Sequence, residues 1–125
     1  KARAALPEMV PHKDAVYNVS RAALLVGSLM SGDYHFLTTA LEDRLHQPYR
    51  LPLIPGAEEA LAAARQAGAY NGIISGAGST LLAYVPADGD AVKIGEAMRK
   101  PFAKRHMDTA LHFLEIDPEG AKVIG

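Results

Sequence analysis

The chain has 125 residues, a length that fits one domain with a real apolar core. Its basic and acidic residues nearly cancel, leaving a formal net charge of −1, so nothing points to nucleic acid or an anionic membrane as partner. The absence of cysteine excludes disulfides, thiolate metal sites and a cysteine nucleophile, and it fits a reducing compartment such as the cytoplasm.

No run of about 18 apolar residues occurs, so no membrane span is expected. Lys1-Ala2-Arg3 is not followed by the apolar stretch of a signal peptide, and none is expected. The chain starts without Met on a basic, helix-like tripeptide, and we expect it to be a piece of a longer polypeptide.

In chain order, residues 1–11 carry Pro7 and Pro11, which limit them to a short helical turn and an extended link. Residues 13–30 form the first long helix. Val16, Val19, Ala22, Ala23, Val26, Leu29 and Met30 recur every three or four positions, and Gly32 is placed to close the helix in a left-handed cap. A second helix is expected over residues 33–45, with Asp33 as N-cap and Leu37, Leu41 and Leu45 in one row. The short connection makes the two an antiparallel pair. Residues 46–56 hold three prolines and read as a stiff connection with Leu51, Leu53 and Ile54 as an apolar plug. A third helix over residues 57–67 ends at Gly68. Strand-like runs at 72–74 and 81–85 flank a glycine-rich turn, and Pro86 to Gly89 close the second strand. A fourth helix begins near Asp90, with Ile94, Met98 and Phe102 buried and a kink or break expected at Pro101. A last strand is expected over residues 109–116, and residues 121–125 are expected to add a short edge segment.

The turn Ser75-Gly76-Ala77-Gly78-Ser79-Thr80 is the stretch with most chemical content. Two glycines free the backbone for positive φ and for close approach by a ligand, and three hydroxyls lie in or beside the turn. Such a turn suits an anion, phosphate or carboxylate; equally, it serves as a tight connection between two buried strands. It is not a Walker A loop, having no Lys, nor a dinucleotide fingerprint, because a strand follows it rather than a helix. Arg50, in the braced 46–56 connection, can take a carboxylate in bidentate fashion or pair with a surface acid. Asn18 and Arg21 read as the solvated face of the first helix, and Arg3 as a terminal charge. His106 and His112 lack a third ligand and helical spacing, so no metal site is expected, and no Ser-His-Asp set is defensible. No catalytic residue is assigned.

Taken together, the elements describe an α+β fold: a small antiparallel or mixed sheet packed with about four helices. A further strand upstream of Lys1 would complete a ferredoxin-like split βαβ pattern. The free edge left without that strand would favour a homodimer.

The chain resembles the C-terminal part of bacterial homoserine kinases, members of the superfamily that also holds galactokinase, mevalonate kinase and phosphomevalonate kinase. The resemblance begins at Ala2-Arg3-Ala4-Ala5-Leu6-Pro7 and continues through the segment from Asp14 to Ala23. It is strongest from Glu42 to Arg50, with Leu53-Ile54-Pro55-Gly56. The glycine-rich turn looks like the superfamily's third motif, with Ser79 where the family has Pro. The resemblance implies transfer of the ATP γ-phosphoryl group to the hydroxyl of L-homoserine, with Mg²⁺ accompanying ATP. Arg3 and Arg50 sit where the family's carboxylate-binding arginines fall. Ser75, Gly76 and Gly78 are implied as further substrate contacts. Asn18, Arg21 and His46 match the pattern without an assigned role. The ATP-cradling loop of the family lies in an N-terminal domain, so residues 1–125 are expected to form a C-terminal domain that is inactive alone and holds no cofactor itself. Two other readings stand beside this one: another small-molecule kinase of the superfamily, and a non-catalytic module that binds an amino acid.

Overall fold

The computed structural model describes residues 3–124. Helix α1 covers His12–Ser31, and Gly32 closes it at φ 75° with its N–H on the Ser28 carbonyl, the left-handed cap expected from the sequence. Ser28, buried beneath the helix end, donates through its hydroxyl to the Asp33 carbonyl at 2.5 Å and so fixes where the chain turns.

The expected second helix is much shorter than its leucine row implies. A 3-10 turn at Tyr34–Phe36 leads into α2, Leu37–Ala40, and the helix stops there; the Asp33 side chain makes no cap bond. The reason is Asp43. Its carboxylate accepts the backbone N–H groups of Leu45, His46 and Gln47, which folds residues 41–46 into a turn instead of a fourth helical round. Leu37 and Leu41 are buried as expected, at 3% and 6% exposure, because both fall within or at the end of the part that is helical.

Pro48 starts an element rather than only ending one. It sits in the first turn of α3, Gln47–Arg50, where a missing N–H costs nothing. A 3-10 turn at Leu51–Leu53 follows, so the proline-rich connection is a double helical turn. Helix α4, Ala57–Ala67, matches the expected bounds and ends on Gly68 at φ 115°. Ala57, Ala60, Leu61 and Ala64 form its buried face.

Strands β1, Asn71–Ser75, and β2, Thr80–Tyr84, make an antiparallel hairpin with Asn71 opposite Tyr84 and Ser75 opposite Thr80. Gly72 lets the hairpin lie close on α4: a Cβ on it would stand 2.8 Å from Leu61 Cδ2 and 3.0 Å from the Leu82 carbonyl oxygen. Helix α5, Ala91–Ala103, is capped by the Asp90 carboxylate on the Lys93 N–H at 2.9 Å. The expected break at Pro101 does not occur. The helix runs on through Pro101 to Ala103, with only the N–H that the Ala97 carbonyl would have accepted forfeited.

The core forms where α4 and α5 pack and the hairpin lies on α4. Ile94 is the largest fully buried side chain, with Met98, Ala83 and Val85 packed on the same cluster. The fold is α+β with five α-helices and one antiparallel sheet of two strands among the described residues. The expected third strand over residues 109–116 is not formed, and neither is an edge segment over residues 121–124; Gly125 lies outside the described residues. A strand exists only through its hydrogen-bonded neighbour, and no described backbone pairs with these segments. Instead, Leu111 and Phe113 close on α5 at Gly95, with Leu111 Cδ1 at 3.2 Å and Phe113 Cε1 at 3.4 Å from where a Cβ on Gly95 would stand.

Candidate functional site

The hairpin turn contains three residues at positive φ: Gly76 at 62°, Gly78 at 116° and Ser79 at 72°. Glycine reaches these values without strain, and Ser79 is a non-glycine residue in the same left-handed region. Proline, fixed near −65°, does not reach them. The Gly78 backbone rests on Ile54 of the proline-rich connection, whose Cδ1 would be 3.0 Å from an added Cβ. The apolar plug therefore supports the turn from below.

Arg50, at the end of α3, reaches the same turn. Its Nη1 donates to the Gly76 carbonyl at 3.1 Å. Its Nε is shielded from solvent and finds no acceptor among the described residues. The guanidinium thus has one arm on a backbone oxygen and donors left unused, and a carboxylate is the acceptor such a group pairs with best. Ser75, Gly76 and Arg50 are thus brought together, with Gly78 on the same turn. Arg3 lies in an exposed turn closed by the Leu6 N–H on its own carbonyl at 3.3 Å, and among the described residues its guanidinium makes no hydrogen bond or ion pair. Among the described residues no hydrogen bond or ion pair joins the turn of Arg3 to the turn of Gly76.

Behind this cluster lies a polar frame built on Asp43, which gives Asn18 and Arg21 the roles that sequence reasoning left unassigned. Asn18 on α1 donates through Nδ2 to Asp43 at 2.6 Å and accepts the Arg44 N–H through Oδ1 at 2.8 Å. Asp43 also receives the three backbone N–H groups described above. Burial alone would raise the Asp43 carboxyl, but the bonds from Asn18 and from the Gln47, Leu45 and His46 N–H groups hold it below the usual carboxylate range. Gln47 then accepts the Ile74 N–H on its side-chain oxygen at 2.9 Å. The signal for this frame was present as an Asp a few residues before a Gln-Pro pair, the pattern of a turn capped into a helix start.

Arg21 has a partner as well. Glu42 accepts from the Tyr17 hydroxyl and from Arg21 Nη2 at 2.9 Å, and the guanidinium carbons of Arg21 and Arg44 lie 3.9 and 3.7 Å from the Tyr17 ring centre. The Tyr17 hydroxyl, followed by Arg21, holds the Glu42 carboxyl below its ordinary value. Arg21 thus braces the 42–47 turn onto α1 and is not merely a solvated helix face.

An open cavity of about 480 Å³ lies beside this frame, lined among others by Thr38, Glu42, Arg44, Arg65 and Asn71. Neither Arg50 nor the glycine-rich turn lines it, so this hollow and the arginine–glycine cluster are separate places. Among the described residues no three His, Asp or Glu side chains gather as a metal site, and no helix is long and apolar enough to cross a membrane.

Residues 20–104 match the family model for the C-terminal domain of GHMP kinases, a stretch that holds Arg21, the 42–47 turn, Arg50 and the whole hairpin but begins just after Tyr17 and Asn18. The chain belongs to the GHMP kinase C-terminal family. Among curated proteins, this family member is 48% identical over 123 residues to the homoserine kinase of Gloeobacter violaceus, covering 98% of this chain and 40% of that one. It is 43% identical over 122 residues to the homoserine kinase of Moorella thermoacetica, again covering 98% and 40%. The crystal structure of homoserine kinase from Cytophaga hutchinsonii aligns with a TM-score of 0.80 at 34% identity, over 83% of this chain and 33% of that one. The chain therefore spans about two fifths of the length of the curated relatives it matches. The α+β fold described above is the family's fold.

Proposed function

We propose that this chain is the substrate-side part of a homoserine kinase, and that Arg50 takes the carboxylate of L-homoserine beside the Ser75–Gly78 turn. The observation that carries this reading is the Arg50 guanidinium, tied to Gly76 through Nη1 and with Nε lacking an acceptor. The homoserine kinase relatives at 48% and 43% identity support it. Ser75 and Gly76 are the nearest further contacts for the amino acid, with Gly78 behind them. Arg3 is the second arginine of the reading and would have to reach the same carboxylate from the N-terminal turn.

In the reaction, the bond between the γ-phosphorus and its ADP oxygen breaks with its electron pair staying on ADP, a bond from that phosphorus to the homoserine side-chain oxygen forms, and the hydroxyl proton passes to solvent. ATP supplies the phosphoryl group, and Mg²⁺ offsets its charge. The residues present do not fit the cation. The Asp43 carboxylate is filled by four donors, and Glu42 is engaged by Tyr17 and Arg21. Nucleotide and Mg²⁺ are therefore assigned to an N-terminal domain of the same polypeptide, which works in the cytoplasm in threonine synthesis. Without it, this chain holds and orients the amino acid and does not turn over.

Comparing L-homoserine with mevalonate and a sugar as acceptors for the complete polypeptide tests the proposal. Phosphorylation of homoserine at least tenfold faster than of either alternative is expected. A preference for mevalonate or the sugar would instead make this another kinase of the superfamily, with Arg50 serving a different end.

A further inference from the structure

Two pins, three residues apart on α3, reach the hairpin on either side of Ser75. Gln47 accepts the N–H of Ile74, the residue before Ser75, at 2.9 Å. Arg50 donates to the carbonyl of Gly76, the residue after it, at 3.1 Å. The β1 residues pair with β2, and Gln47 takes up the Ile74 N–H that would otherwise stand unpaired at the free edge of β1. We infer that Gln47 is a positioning residue: it holds Ser75 and the glycine turn at a fixed distance from Arg50, and Asn18 and Asp43 in turn hold Gln47. This inference deepens the proposed function and rests on it for its kinetic consequence.

The physical argument is one of rigidity. Arg50 alone is a single bond from a long side chain to one carbonyl, and a hairpin turn rich in glycine can pivot about it. A second bond to the strand itself removes the pivot. Gln47 is fit for this because its own backbone N–H is bound to Asp43, at the start of the helical turn that Asp43 caps. The line from α1 through Asn18, Asp43 and Gln47 to Ile74 is continuous in hydrogen bonds. A frame built in this way matters where geometry decides rate, since small misplacements of binding groups are costly. The requirement on residue 47 is an acceptor oxygen at the end of a two-carbon arm. Glutamate meets that requirement and leucine does not.

The test uses two variants and two kinds of readout. In the complete polypeptide, hydrogen exchange at the Ile74 amide and the NMR positions of the Gly76 and Gly78 amides report the pin directly. Gln47→Leu is expected to speed Ile74 exchange about tenfold, the effect of losing one hydrogen bond, and to shift both glycine amides; Gln47→Glu is expected to restore them. In the complete kinase, Gln47→Leu is expected to raise the KM for homoserine about tenfold while leaving the KM for ATP unchanged, and Gln47→Glu is expected to recover most of the loss. Unshifted glycine amides in Gln47→Leu, or equal changes in both KM values, would overturn the inference. A complete kinase that ignores homoserine would sink the proposed function alone, because the amide readouts still decide the pin.

Discussion

Arg50 donates to the Gly76 carbonyl at 3.1 Å across 26 positions of sequence, and this bond joins the proline-rich connection to the hairpin turn. It contributes little to stability. Gly76 is exposed, so its carbonyl regains water when the bond is lost, and the unpaired Nε of Arg50 leaves the protein with it. Arg50→Ala is therefore expected to change unfolding free energy by no more than about 1 kcal/mol, read from urea denaturation. A loss of several kcal/mol would mean that Arg50 is a strut rather than a recognition group.

Asp43 is the opposite case. Asp43→Asn replaces one acceptor oxygen by an N–H group that faces donors already in place, and the substitution is expected to cost about 1–3 kcal/mol. The pH dependence follows from the sign of the shift. The folded carboxyl lies below its ordinary value, so the folded state binds this proton more weakly than the unfolded chain does. Its contribution is complete above the unfolded value, about 3.9, and is lost as pH falls below that through the folded value. Glu42, lowered by Tyr17 and Arg21, acts in the same direction. Urea midpoints measured from pH 7 to pH 2.5 are expected to fall below about pH 4, and to fall less steeply in Asp43→Asn. Parallel curves for the two proteins would remove Asp43 from the account.

Gly72 tests the packing of the hairpin on α4. An alanine Cβ there would meet Leu61 Cδ2 at 2.8 Å and the Leu82 carbonyl at 3.0 Å. The side chain of Leu61 can give way, but the backbone oxygen of a paired strand cannot do so cheaply. Gly72→Ala is expected to cost about 1–3 kcal/mol by thermal or urea unfolding. A change within about 0.5 kcal/mol would show that the hairpin slides on the helix.

These elements also show what the sequence could carry. The apolar periodicity of α1, the alanine face of α4 and the Asp90 cap of α5 are local signals, and local chemistry decides them. The glycine spacing of the turn is likewise local, and Arg50 was visible because few residue types bind a carboxylate so well. The length of α2 was not local. Leu37, Leu41 and Leu45 form a helical row, but the Asp43 carboxylate takes the backbone donors that a longer helix would need. The turn is further fixed by Asn18, 25 positions away. The strand expected over residues 109–116 failed for a related reason: alternation in a sequence proposes a strand, and only a neighbour makes one. The role of Gln47 went unseen because its partner is a backbone N–H in another element, which leaves no mark on residue type.

Ser79, at φ 72°, tests the turn itself. Ser79→Pro would force φ to about −65°, so the substitution is expected to destabilise the chain by about 1 kcal/mol or more and to move the Gly76 and Gly78 amide signals. An unchanged spectrum and midpoint would show that the turn has a second conformation of equal energy.

The most direct test of the central claim compares kcat/KM for L-homoserine with that for the analogue whose carboxylate is reduced to an alcohol, in the complete kinase and in its Arg50→Ala variant. If Arg50 reads the carboxylate, the unaltered kinase is expected to prefer homoserine by roughly a hundredfold, and the variant is expected to lose most of that preference, a coupling on the order of 2 kcal/mol. A preference that survives Arg50→Ala undiminished would contradict the account and place the carboxylate elsewhere.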